Sequence, residues 1–110
     1  DCWDDKTDGD DLDAEGNKLA GEPMVTHGHT LCSSILFRRV VQKIAEFGPK
    51  GGKYPIVLSI EMHCSLPFQK KMWEHCAKYL TEEKIYVPKD PDAPLPTPWE
   101  LQRDGKLYVI

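Results

Sequence analysis

Long apolar runs are missing from this 110-residue chain. The longest, Pro55 to Ile60, is broken by Ser59, far short of the ~20 apolar residues a membrane-spanning helix needs. A Cys-x-x-Cys pair is missing too. The four cysteines, Cys2, Cys32, Cys64 and Cys76, are scattered, and the dipeptides His63-Cys64 and His75-Cys76 match no zinc spacing. Reduced thiols packing as small apolar groups are expected instead. No stripe of arginine and lysine interleaved with aromatics is present, so nucleic acid is not an expected partner. Asp1-Cys2-Trp3-Asp4-Asp5 lacks the basic and apolar regions of a secretion signal. With no initiator Met, the chain is expected to continue from a preceding strand.

What is present is an ordinary globular composition, 40% hydrophobic and 29% charged, with an uneven charge. Residues 1–22 hold nine acids against two lysines, whereas residues 23–110 hold nine acids against twelve bases. The net charge of −4 therefore originates in one acidic segment. The remainder is mildly basic, which suits an anionic substrate without requiring one.

Residues 4–22 are acidic, glycine-containing and poor in apolar groups, and they are expected to form an exposed loop. Met24-Val25-Thr26 suits a short strand. Ser33 or Ser34 can cap a helix whose apolar positions are Leu36, Val40, Ile44 and Phe47, ending at Gly48-Pro49. The β-branched run Pro55 to Ile60 suits a strand buried on both faces of a parallel sheet. Ser65 can cap a second helix with the stripe Met72, Trp73, Cys76, Ala77 and Leu80. Residues 81–96 hold four prolines and are expected to form a loop. Thr97-Pro98-Trp99-Glu100 spells a capping box, and Lys106 to Ile110 a final strand. This alternation implies βα units and a parallel sheet.

In such units, functional residues gather where strands end. Asp1, His27 and Glu61 occupy three such positions. Two carboxylates and a histidine could hold a hard cation such as calcium or magnesium and polarise a phosphate. From position alone, the plainer expectation is a Glu61–lysine pair and a hydrogen-bonded turn histidine at His27.

The blocks Asp1-Cys2-Trp3-Asp4, Glu22 to Leu31, Ile35-Leu36-Phe37 and Tyr54 to Ser65 closely resemble the X region of eukaryotic phosphoinositide-specific phospholipase C. Leu95-Pro96-Thr97-Pro98, Leu101 and Gly105-Lys106-Leu107 resemble the approach to its next strand. The resemblance implies an α/β fold, a partial TIM-like (β/α)8 barrel, with residues 1–110 an arc of about strands 2 to 5 and an acidic insertion at about 5–21. It implies calcium-dependent hydrolysis of phosphatidylinositol 4,5-bisphosphate and its relatives, in which the inositol 2-hydroxyl attacks the phosphorus and water opens the cyclic phosphate. By this resemblance His27 is catalytic, stabilising the pentavalent phosphorane, and Asp1 and Glu61 are two of the carboxylate ligands of Ca2+. His29 and His63 are expected beside them, in supporting or substrate-proximal roles. The implied partners are a membrane phosphoinositide, the remainder of the barrel and upstream regulatory proteins; the implied location is cytoplasmic, peripheral at the inner membrane surface.

The resemblance also sets expectations outside the chain. A second catalytic histidine, an Asn ligand and another carboxylate would precede Asp1, and phosphate-binding lysines would follow Ile110. The 110 residues alone are accordingly expected to be inactive and poorly stable. Met62 stands where the family usually has Asn, and Ser34 where it often has Lys. Asp11-x-Asp13-x-Glu15-Gly16 with Glu22 has the acidic spacing of an EF-hand loop. Its context differs, with no preceding amphipathic helix, Lys18 at the usual aliphatic position and Pro23 directly after Glu22. A solvated loop is the expectation. The alternatives are an inactive phospholipase-like scaffold and a small acidic domain that binds calcium through residues 5–21.

Overall fold

The computed structural model describes residues 1–5, 21–28, 31–48, 54–90 and 92–110. The chain divides into two compact units, Asp1–Val40 with Glu61–Glu74, and Val41–Ile60 with His75–Ile110.

In the first unit, β1 (Cys2–Asp4), β2 (Pro23–Val25) and β3 (Ile35–Leu36) form a sheet in that order. Both pairings are antiparallel, with Trp3 opposite Met24 and Met24 opposite Leu36. The expected parallel arrangement fails in this sheet. Only residues 26–34 join β2 to β3, too few for the crossover that a parallel neighbour requires, whereas the length of residues 5–22 between β1 and β2 does not decide their direction. The parallel element in this unit is a bridge from Cys2 to Met62. Cys2, Pro23, Leu36, Phe37, Cys64 and Met72 are buried.

Two helices begin in this unit and end in the other. Helix α1 (Phe37–Phe47) starts later than expected, because Ile35 and Leu36 pair with Val25 and Met24 in β3. The buried positions are Phe37 and Val41, with Val40 and Ile44 half-buried and Phe47 exposed. Helix α2 (Leu66–Cys76) starts from Ser65, whose carbonyl accepts from the Phe68 and Gln69 N–H groups. A wide π turn, Ala77–Thr81, prolongs it. Met72, Cys76 and Leu80 are buried at a spacing of four, as the stripe predicted, whereas Trp73 is exposed.

In the second unit, β4 (Ile56–Val57), β5 (Ile85–Tyr86) and β6 (Tyr108–Val109) form a parallel sheet in the order β4-β6-β5. Tyr108, 2% exposed, lies centrally between Ile56 and Ile85. Strand β5 falls in the segment expected to be a loop; Ile85-Tyr86-Val87 is its β-branched and aromatic signal, cut short by Pro88. The run Pro55 to Ile60 is not buried on both faces. Val57 is 69% exposed, and burial alternates from Ile56 to Ile60, the pattern of a strand with one face covered.

Helix α3 (Pro98–Arg103) has the expected capping box. Thr97 Oγ1 accepts from the Glu100 N–H at 3.3 Å, and Glu100 Oε2 accepts from the Thr97 N–H at 2.8 Å. The Thr97 N–H, and then its hydroxyl, both donating to Glu100 Oε2, hold the Glu100 carboxyl below its usual range.

Candidate functional site

The site grows from the backbone of β1. The Cys2 N–H donates to the Glu61 carbonyl and the His63 N–H to the Cys2 carbonyl, both at 2.9 Å. On the other side, the Thr26 N–H donates to the Asp1 carbonyl at 3.1 Å. Glu61 and His63 are two residues apart on extended chain, so they share a side. Ligand atoms of Asp1, Glu61 and His63 consequently lie within 4.8 Å of one another. Asp1 is half-buried, and the other two are exposed.

Oxygen ligands sit about 2.3–2.6 Å from calcium, so donors about 5 Å apart can share one ion. Asp1 and Glu61 are hard carboxylate donors and fit such an ion in kind. The Gly28 N–H donates to Asp1 Oδ2 at 3.1 Å, which leaves Oδ1 oriented by that bond.

Aromatic stacking orders the surroundings. The Trp3 and His63 rings stack with centroids 4.1 Å apart and planes 10° apart. Gly28 packs so closely on Trp3 that a Cβ there would lie 2.8 Å from Trp3 Cζ2. Only glycine allows that approach. Asp4, at the end of β1, accepts from the Ser65 N–H at 2.9 Å and from Ser65 Oγ at 2.7 Å. The Ser65 side chain thus ties β1 to the start of α2 instead of capping the helix.

Cys64, next to His63, is no ligand. Burial, then the neighbouring Cys2 and the Asp4 carboxylate, push its thiol up to about 11. Burial raises the Cys2 thiol as well. Both shifts favour the protonated thiol, which suits packing.

Among the expected site residues, Asp1 and Glu61 come together, and His63 joins them as a potential ligand. Asp1 precedes β1, which runs Cys2–Asp4, so it opens a strand where a strand end was expected. His27 is exposed and stands outside this cluster, one residue before the Gly28 that holds Asp1. Its Nδ1 lies 3.0 Å from the Gly28 carbonyl. A carbonyl only accepts, so Nδ1 carries the proton in this contact. His29 lies outside the described residues, as do Asp11, Asp13 and Glu15. Sequence reasoning missed Gly28, Trp3 and Cys32. The His-Gly-His turn signalled the first; nothing signalled the other two.

The family model of phosphatidylinositol-specific phospholipase C, X domain, matches residues 1–105. The human 1-phosphatidylinositol 4,5-bisphosphate phosphodiesterase delta-4 is 43% identical over 86 residues, 76% of this chain and 11% of that protein. The Drosophila melanogaster 1-phosphatidylinositol 4,5-bisphosphate phosphodiesterase is 38% identical over 94% of this chain and 9% of its own length. The crystal structure of S. officinalis PLC21 superposes with a TM-score of 0.67 at 36% identity, over 99% of this chain and 12% of the other. The chain thus spans about a tenth of the length of the relatives it matches.

Proposed function

The chain belongs to the family of phosphatidylinositol-specific phospholipase C X domains, and from that premise we propose that the protein carrying it is a calcium-dependent phosphoinositide phosphodiesterase. The observation that carries this reading is the convergence of Asp1, Glu61 and His63 within 4.8 Å. The substrate is proposed to be phosphatidylinositol 4,5-bisphosphate or a near relative, the phosphodiester named for its relatives. The proposed products are diacylglycerol and a soluble inositol phosphate, formed by attack of the inositol 2-hydroxyl.

Calcium bound by Asp1 and Glu61 would supply positive charge beside the phosphate. The protein's own groups do the rest. The Gly28 N–H fixes one Asp1 oxygen, and backbone bonds to Cys2 fix the peptide units of Glu61 and His63. His27, with Nδ1–H directed at the Gly28 carbonyl, would act as an imidazolium, donating from Nε2–H to a phosphoryl oxygen as charge builds there. A carboxylate close to the hydroxyl can accept its proton. The proposed setting is the wall of a TIM-like barrel at the cytoplasmic face of a membrane. Each unit contributes a parallel pairing to this reading, Cys2 with Met62 in one and β6 with its neighbours in the other. Among the described residues, no helix is long and apolar enough to cross a membrane.

The test is release of soluble inositol phosphate from phosphoinositide vesicles by the full-length protein, with and without calcium, beside His27→Ala. Release that needs calcium and falls by roughly 100- to 1000-fold in the variant supports the reading. A folded protein without activity in calcium would overturn it in favour of a binding or scaffolding role.

A further inference from the structure

One side chain grips the backbone of His27 from both sides. Cys32 Sγ accepts from the His27 N–H at 3.3 Å and lies 3.7 Å from the His27 carbonyl oxygen, to which its S–H can donate. Thr26 Oγ1 lies 3.3 Å from the same sulfur. These contacts are mutually compatible. A thiol has one proton and accepting lone pairs, so the sulfur donates to the His27 carbonyl while accepting from the His27 N–H and the Thr26 hydroxyl. The peptide groups flanking the His27 Cα are thereby tied to one atom five residues away. Thr26 is in turn anchored by its N–H to the Asp1 carbonyl, and Gly28 by its N–H to the Asp1 carboxylate. Cys32 closes the remaining side of this turn.

The other cysteines do something different. Cys2, Cys64 and Cys76 are buried, whereas Cys32 is exposed. Burial of apolar sulfur therefore does not account for Cys32. Its polar contacts do.

We propose that Cys32 is a positioning residue for His27, holding the turn so that the imidazole meets the phosphate in a fixed orientation. This rests on the proposed phosphodiesterase reading. Loss of the clasp frees the His27 backbone and lowers turnover without removing any group that touches substrate. Small displacements of a catalytic group carry large kinetic penalties.

The test compares Cys32→Ala, Cys32→Ser and His27→Ala in the full-length protein, by steady-state hydrolysis of phosphoinositide vesicles in calcium and by thermal unfolding. The expected result is a fall in kcat of about tenfold for Cys32→Ala with KM little changed. Cys32→Ser keeps a donor and acceptor at nearly the same place and should recover to within about threefold of the parent protein. Unfolding temperatures should stay together, because the side chain is exposed. Equal, near-parental kcat in both Cys32 variants, with His27→Ala inactive, overturns the positioning role alone. Equal loss in both, with lowered unfolding temperatures, also overturns it by making the role structural. Full activity of His27→Ala removes the catalytic reading and this inference with it.

Discussion

The two units of the chain use different interactions for different ends. In the first, polar side-chain bonds tie an antiparallel sheet to the segments around it, Asp4 to Ser65 and Asp1 to Gly28, and brace the turn after β2, Cys32 to His27. His27, held in this way, is exposed, as are Glu61 and His63, whose peptide units are held by backbone bonds to Cys2. In the second, a parallel sheet centred on Tyr108 is accompanied by buried Leu80, Ile85, Leu101 and Val109. Both units bury apolar side chains, but the directed side-chain bonds that hold Asp1 and His27 belong to the first. Chemistry tolerates exposure where side chains are oriented by polar partners, while stability needs apolar surface removed from water.

Glu61→Gln should break this contrast most sharply if the contrast is wrong. It is expected to lower calcium-dependent hydrolysis by the full-length protein roughly 100- to 1000-fold, while moving unfolding free energy by less than about 0.5 kcal/mol because the residue is exposed. Assays beside denaturant titrations check both. Leu80→Ala is the converse. Leu80 is 1% exposed, and its truncation should cost about 2–5 kcal/mol by urea unfolding, with kcat per folded molecule unchanged. A kinetic defect in that variant would show that the packed unit takes part in the chemistry.

A third experiment uses pH. The folded Cys64 thiol sits near 11, above its ordinary 9.0. Below the ordinary value both folded and unfolded chains keep the proton, and the contribution is complete. As pH rises from 9.0 toward 11, the unfolded thiol ionises first and stability falls. Unfolding measured across that window should slope downward, and Cys64→Ala should flatten the slope. The smallest effect belongs to Thr97→Ala, which removes the capping box of α3 and should cost about 1 kcal/mol in urea unfolding with activity untouched.

Legibility in the sequence follows the same contrast. Local signals were readable: Thr97 and Glu100 at capping-box spacing, the Met72-Cys76-Leu80 stripe, and the last strand. Pairing direction in the first sheet was not, because strand patterning carries no record of its neighbour. Strand β5 was hidden by its brevity between charged residues and Pro88. Asp1, His27 and Glu61 could be named from the resemblance. His63 was expected beside them from the same resemblance, whereas the grip of Cys32 on His27 depends on a turn geometry with no one-residue signature.

The bonds from Asp4 to Ser65 join positions 61 apart in the chain. During synthesis at about 5–20 residues per second, Asp4 therefore waits roughly 3–12 s for its partner to be made. Glu61 and His63 arrive only just before. Closing so long a loop adds only about 0.6 kcal/mol over one half its length, so the delay is one of timing more than of energy. A ribosome pausing between Asp4 and Glu61 would hold a nascent chain in which β1 is complete and Asp1 still lacks Glu61 and His63.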